Sequence, residues 1–373
     1  MRNVMSWIRV LLVNIVILFG LLIAVEIGLR IAWTVKTCLS KQCDFTRISR
    51  LKIYGIHKNI FDKDIGLSRY HDLLGYIPKE GFSSLVNDQG WKNKQVTIDQ
   101  NGFRINGNKS MTLNKDSLIL SIGDSFTFGA QVNDVETWPA CIELKTKRKT
   151  LNAGVFGYGS AQSVRRASLI MKQQDVHTVI FSVYINSNFH RDKLKFRTGF
   201  PRPAIIKNDR GLLLYADVPP LKSNGTKWSP DYSKLKLINK NFFNHSYLLK
   251  KIAITLKIDL SGTRRTEIHE DAASLEEIIK FTVEKFSNLD AKNKFIVLQY
   301  NQKNFPKLHP EVFKTREKLL LQAQLKGIPV IDTYNRLQVE LLNNSNSIWL
   351  GHHTAYGNAL VCDEIYKFIQ KYQ

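Results

Sequence analysis

The chain has 373 residues, 43% of them hydrophobic and 23% charged, an ordinary globular composition with enough apolar content for a large buried core. Its 54 Lys and Arg against 32 Asp and Glu leave a formal net charge of +22. These cations are scattered, as in Lys147-Arg148-Lys149 and Arg165-Arg166, and no helix-turn-helix, zinc-finger or aromatic RNA-binding motif accompanies them, so nucleic acid is excluded as the expected partner. Either attraction to anionic lipid head groups or acidic polysaccharide, or a plain solubilising bias, accounts for the charge.

The N-terminus comes first in chain order. Val10 to Val25 runs for sixteen residues without a charge and with Asn14 as its polar member. Extended over Trp7 and Ile8 and on through Ile27 to Ala32, the segment reaches the ~20 residues that span a bilayer, with Arg9 snorkelling. Glu26 and Arg30 sit at i, i+4 and pair near the interface. No small-x-small cleavage site follows, so residues 1–33 read as an uncleaved signal anchor, with the lipid bilayer as a partner. Flanking charge alone (Arg2 and Arg9 before; Arg30, Lys36, Lys41, Arg47 and Arg50 after) would keep the C-terminal side in the cytoplasm, but long domains translocate largely regardless of it.

Residues 34–65 read as a polar stalk and 66–115 as an irregular lead-in, making 34–115 one region before a domain at 116–373. Within that domain, strands are expected at 117–122, 149–152, 178–184, 294–299 and 328–332, with helices over 138–145, 161–174, 273–289, 310–325 and 357–372. Such alternation predicts a mostly parallel five-stranded sheet with helices on both faces, an α/β three-layer sandwich. An insertion at about 195–272 interrupts it, marked by Pro201, Pro203, Pro219, Pro220 and Pro230. Its aromatics, Tyr215, Trp228, Tyr232, Phe242, Phe243 and Tyr247, either stack on sugars or pack the insertion onto the core. Cys38 and Cys43 are close enough to form a small disulfide loop outside the cytoplasm, whereas Cys141 and Cys362 read as lone buried thiols; no cysteine spacing fits zinc.

Chemistry is expected where strands end. Directly after the first core strand stands Gly123-Asp-Ser125-Phe-Thr-Phe-Gly129. Gly123 permits a tight turn, and Asp124 can bond the amides that follow it. Asn152-Ala-Gly-Val-Phe-Gly157 follows the second strand, Asn186-Ser187-Asn188 the third, and His352-His353-Thr-Ala-Tyr-Gly357 lies near the C-terminus. In that order these residues resemble the SGNH or GDSL hydrolase superfamily. Leu74-Gly-Tyr-Ile-Pro78 and Ile98-Asp-Gln-Asn-Gly102-Phe-Arg104 resemble the lead-in of its membrane-anchored bacterial members.

The resemblance implies a flavodoxin-like SGNH fold and an extracytoplasmic, periplasmic domain on a single-pass inner-membrane anchor. It also implies Ser125 as nucleophile, Gly157 and Asn186 as oxyanion donors beside the Ser125 amide, and His352, five residues before Gly357, as base, with no cofactor or metal. The chemistry agrees: a serine hydroxyl needs an imidazole to take its proton, and the intermediate's oxyanion needs fixed donors. The family's Asp is missing, since Trp349 and Leu350 occupy the positions three and two before His352. A Ser-His dyad, an acid from elsewhere such as Asp332, and a silent site therefore all stay open, as does His353 in place of His352. The expected activity is ester hydrolysis on O-acyl groups of a surface glycan. Its rivals are an O-acyltransferase working with membrane or polysaccharide-assembly partners and a silent glycan-binding protein.

Overall fold

The computed structural model describes residues 13–14, 17–18, 20–28, 67–86, 91, 93–107, 113–197, 200–219, 266–305, 307–343 and 348–372. Ile60–Trp228 and Arg265–Gln373 form one compact unit; Met1–Asn59 and Ser229–Arg264 form another, in which residues 20–28 are helical. Among the described residues no helix is long and apolar enough to cross a membrane. Much of the expected anchor, the whole 34–65 stalk, Cys38 with Cys43, and Trp228, Tyr232, Phe242, Phe243 and Tyr247 lie outside the described residues.

The lead-in, expected to be irregular, contains two antiparallel hairpins. Strand β1 (Ser68–His71) pairs with β2 (Gly75–Pro78), and β3 (Ser83–Val86) with β4 (Lys94–Thr97). Each has four residues and only β2 is buried throughout, so neither an apolar run nor a clean alternation announces them. Packing of Leu67, Val86, Trp91, Val96 and Ile98 against Phe128 and Ala130 holds the second hairpin to the domain. Arg104 adds a polar clamp. Its buried guanidinium donates to Asp134 Oδ1 at 2.9 Å and to the carbonyls of Phe128, Val132 and Gln95. A buried cation is tolerated only when paired in this way, and here it fixes the loop that follows Ser125.

The central sheet consists of β5 (Asn114–Ile122), β6 (Arg148–Asn152), β7 (Thr178–Tyr184) and, beyond the insertion, two further strands. The insertion supplies β8 (Leu194–Arg197), β9 (Phe200–Pro201), β10 (Ile205–Lys207), β11 (Leu213–Tyr215) and β12 (Glu267–Ile268); β13 (Asn293–Gln299) and β14 (Val330–Asp332) then complete the sheet. Spatial order is β14-β13-β7-β5-β6 with every pairing parallel. Renumbered along the chain this is 2-1-3-4-5, the flavodoxin-like order, whose switch point lies at β5. All five strands match the expected positions to within three residues.

Side chains alternate across the sheet as a two-residue period requires. Leu118, Leu120 and Ile122 of β5 enter one apolar cluster and Ile119 enters the opposite one. Helix α1 (Ser125–Phe128) follows β5, α2 (Trp138–Thr146) precedes β6 and α3 (Ser160–Met171) precedes β7. After β7 come α4 (Asn188–Arg191), α5 (Leu275–Ser287), α6 (Pro310–Leu325), α7 (Tyr334–Asn343) and α8 (Ala355–Tyr372). Helices α3, α5 and α6 pack on the first face and α2 and α8 on the second, completing three layers. Caps explain the boundaries: Thr137 accepts from the Ala140 amide ahead of Pro139, and Ser274 with Glu277 forms a capping box. Helix α7, with the polar sequence YNRLQVELLN, was not anticipated.

Two sequence expectations are corrected here. Cys141 and Cys362 are not lone thiols: they form a disulfide, with Cα atoms 6.1 Å apart. They sit on α2 and α8, which lie side by side on one sheet face, a proximity hidden by a separation of 221 residues. Tyr215 is not free to stack on a sugar. Its hydroxyl donates to the Ala161 carbonyl at 2.9 Å, its ring meets Phe281 edge-on, and Arg165 lies over it.

Candidate active site

The site forms where β5, β6 and β7 end. Gly123 adopts φ +151°, and a Cβ there would sit 2.3 Å from Thr127 Oγ1 and 2.6 Å from the Ser182 carbonyl, so only glycine lets the chain turn off β5. Asp124, fully buried, accepts from the Phe126 amide through Oδ1 at 3.0 Å and so caps α1. Its other oxygen, Oδ2, takes a hydrogen bond from Arg191 at 2.7 Å. Ser125, 6% exposed, becomes the first residue of the helix.

The histidine arrives from the far end of the chain. His352 Nε2 lies 2.9 Å from Ser125 Oγ, although 227 residues separate them. Three contacts hold the loop before α8. The Leu350 amide donates to the His352 carbonyl and the Thr354 amide to the Ile348 carbonyl, while the His352 amide donates to Gln131 Oε1 at 3.0 Å. Gln131 lies within the turn that Arg104 clamps, so the lead-in supports the histidine indirectly. The Phe126 ring packs between His352 and His353 at 5.1 and 5.0 Å and stacks on Tyr184.

Burial pushes the His352 ring down to about 4; the Asp124 carboxylate pulls it back up and the Arg191 cation lowers it further. The imidazole is therefore neutral at neutral pH. The tautomer that lets Nε2 accept from the serine hydroxyl, and so serve as base, is the one with its proton on Nδ1. No carboxylate hydrogen-bonds to His352 among the described residues. Asp332, the acid considered from sequence, is occupied by Arg316, Tyr300 and the Tyr334 amide instead. His353 points away from Ser125: its Nε2 lies 3.1 Å from the Tyr300 carbonyl, and burial holds its pKa at about 3.

Gly157 has φ +72°, and a Cβ there would approach Arg197 Nη1 to 2.4 Å. Its carbonyl accepts from Arg202 and Arg197, at 2.9 and 3.2 Å. Neither the Gly157 nor the Ser125 backbone N–H has an acceptor among the described residues. Asn186 is partly exposed, its Oδ1 is buried without a partner, and it makes no hydrogen bond to Ser125 or His352. Asn188, two residues on, is not among the site residues expected from sequence. It is fully buried at the start of α4, its Oδ1 accepts from Arg191 at 3.0 Å, and its Nδ2 has no partner. The clue in the sequence was its i, i+3 spacing from Arg191, which puts both on one helical face.

Two other features lie apart from this site. A cavity of about 290 Å³, lined by Arg148, Lys292, Lys294 and Lys326 among others, lies at the opposite edge, where strands begin. His269, Glu270 and Asp271 have the spacing to hold a metal and follow directly after β12.

No family model and no curated protein matches the chain. Among solved structures it is similar to a member of the lipolytic protein G-D-S-L family from Veillonella parvula, at 12% identity over 67% of this chain and 97% of that one, TM-score 0.37. It is similar also to a psychrotrophic esterase from Pseudoalteromonas (14%, 69% and 98%, TM-score 0.39). An acetyl xylan esterase from Geobacillus stearothermophilus is likewise similar (12%, 69% and 96%, TM-score 0.34). The strand order, rather than these low scores, defines the fold.

Proposed function

We propose that the protein is an SGNH-type serine esterase that cleaves O-acyl groups from a cell-surface glycan by a Ser-His dyad. The observation that carries the reading is the 2.9 Å contact between Ser125 Oγ and His352 Nε2 at the switch point of the sheet. Ser125 Oγ attacks the ester carbonyl carbon as His352 takes the hydroxyl proton. The developing oxyanion is met by the Ser125 and Gly157 amides and by a side-chain amide. Collapse breaks the C–O bond to the glycan while His352 passes its proton to the departing alcohol, and a water molecule then releases the acid by the same steps. Asp124 favours the transient imidazolium through space, the part a hydrogen-bonded acid plays in a triad. The choice of a glycan rests on the sequence resemblance.

Asn186 and Asn188 compete as the third donor, and the orphaned Nδ2 of Asn188 favours the latter. The experiment is acetate release from O-acetylated xylan by the purified full chain. Wild type should release acetate. Asn188→Ala should lower turnover by about 10²- to 10³-fold, the cost of one oxyanion donor, and Asn186→Ala by less than about tenfold. No release from xylan or from a panel of other acetylated glycans would reject the glycan reading, and the reverse ranking would restore Asn186.

We further propose that this domain lies outside the cytoplasm on an N-terminal membrane anchor. The Cys141–Cys362 disulfide supports the location, because such bonds persist in oxidising compartments. Closing so long a loop stabilises the fold by about 2–5 kcal/mol. In cells that make the protein, alkylation in denaturant should leave Cys141 and Cys362 unmodified until a reductant is added. Alkylation of both without reductant would place the domain in a reducing compartment.

A further inference from the structure

We infer that Arg191 is the positioning residue that assembles the oxyanion donors around Ser125, an inference that rests on the esterase reading above. One nitrogen, Nη1, lies 2.7 Å from Asp124 Oδ2, 3.0 Å from the Tyr158 carbonyl and 3.0 Å from Asn188 Oδ1. Each acceptor adjoins a different donor. Asp124 precedes Ser125, Tyr158 follows Gly157, and Asn188 carries its own amide. The three segments leave three different strands, β5, β6 and β7, whose pairing sets only a spacing of about 4.8 Å and leaves the loops beyond the strand ends free. Two N–H protons shared among three acceptors tie those loops into one register. With its Oδ1 held, the planar Asn188 amide must aim Nδ2 away from Arg191, where it is buried without a partner.

The guanidinium also settles the charge of the site. Asp124 is fully buried one residue from the nucleophile, and unbalanced it would oppose the oxyanion that forms there. Arg191, itself 9% exposed, offsets it. Among the described residues the charged groups acting on His352 are these two, with opposite signs; Ser125, the Phe126 ring, Gln131 at its amide and His353, held neutral by burial, also adjoin it. Lysine keeps the charge of arginine but loses the planar fork, and methionine loses both. The two roles therefore separate.

The test is the rate at which a fluorophosphonate probe phosphonylates Ser125 in the full-length chain, followed against pH, with folding checked by thermal unfolding. Arg191→Lys should react about 10²-fold more slowly at its plateau, the cost of roughly 1 Å of misplacement, with its acidic limb where wild type has it. Arg191→Met should be at least as slow, and its acidic limb should move to higher pH, because the Asp124 charge is no longer balanced and favours protonated His352. Asp124→Asn should move the limb the other way while slowing the reaction by roughly tenfold or more. A merely structural arginine would leave the acidic limb in place in Arg191→Met as well. Folded Arg191→Lys reacting within about threefold of wild type, or an unmoved limb in Arg191→Met, overturns the inference. If neither Arg191 variant folds, an unmoved limb in Asp124→Asn overturns it. A wild-type chain that does not react overturns the esterase reading itself and this inference with it.

Discussion

Ser125→Ala should abolish covalent labelling of the full chain by a fluorophosphonate probe, the largest effect expected of any single change. The probe reports on a hydroxyl whose proton a base takes as it attacks, and Ser125 Oγ is the hydroxyl in contact with His352 Nε2. Removing such a nucleophile costs on the order of 10⁶ in turnover in hydrolases of this kind. The fold should hardly notice. The oxygen makes one side-chain hydrogen bond, worth about 1 kcal/mol net, so the melting temperature should stay within a few degrees of wild type. Persistent labelling in the folded variant would mean that another residue is the nucleophile.

His352→Ala should lower esterase turnover by on the order of 10³-fold or more, whereas His353→Ala should leave the rate within about tenfold. The two imidazoles are adjacent in sequence and both buried enough to be neutral at neutral pH, so neither charge nor pKa separates them. Direction does. One ring faces Ser125 Oγ and the other the Tyr300 carbonyl. His353→Ala should instead lower the melting temperature. It removes one of the two donors to that carbonyl, Trp349 Nε1 at 3.1 Å being the other, at about 1 kcal/mol, together with the ring that packs on Phe126 and Trp349. Steady-state kinetics and thermal unfolding on both variants separate the roles. A larger kinetic loss at His353 than at His352 would reverse the assignment.

Much of the fold and part of the site were legible in the chain. Four of the core strands, β5, β7, β13 and β14, were readable because each carries a short apolar run near turn residues, a local signal, whereas β6, RKTLN, has Leu151 as its one apolar residue. Helix α6 was expected at 310–325 and is found at Pro310–Leu325, where proline at the first turn and a sustained helical period agree. The hairpins of the lead-in are not announced by their own pattern: strands such as KQVT and SRYH have none, and the second hairpin is held by residues outside its strands, Trp91 in its turn and the distant Phe128 among them.

Sequence alone determined the α/β alternation and put Ser125 and Asn186-Ser187-Asn188 at strand ends, because periodicity and glycine geometry act over a few neighbouring residues. Tertiary structure alone decided which distant groups meet. The order β14-β13-β7-β5-β6 brings residues 227 apart into the Ser125–His352 contact and cysteines 221 apart into a disulfide. Which acceptors Arg191 draws together, Asp124, the Tyr158 carbonyl and Asn188, likewise follows from where one buried guanidinium points. Such contacts depend on directions and distances of about 3 Å between polar atoms. Those are set only once the sheet order and the loops at its edge are in place.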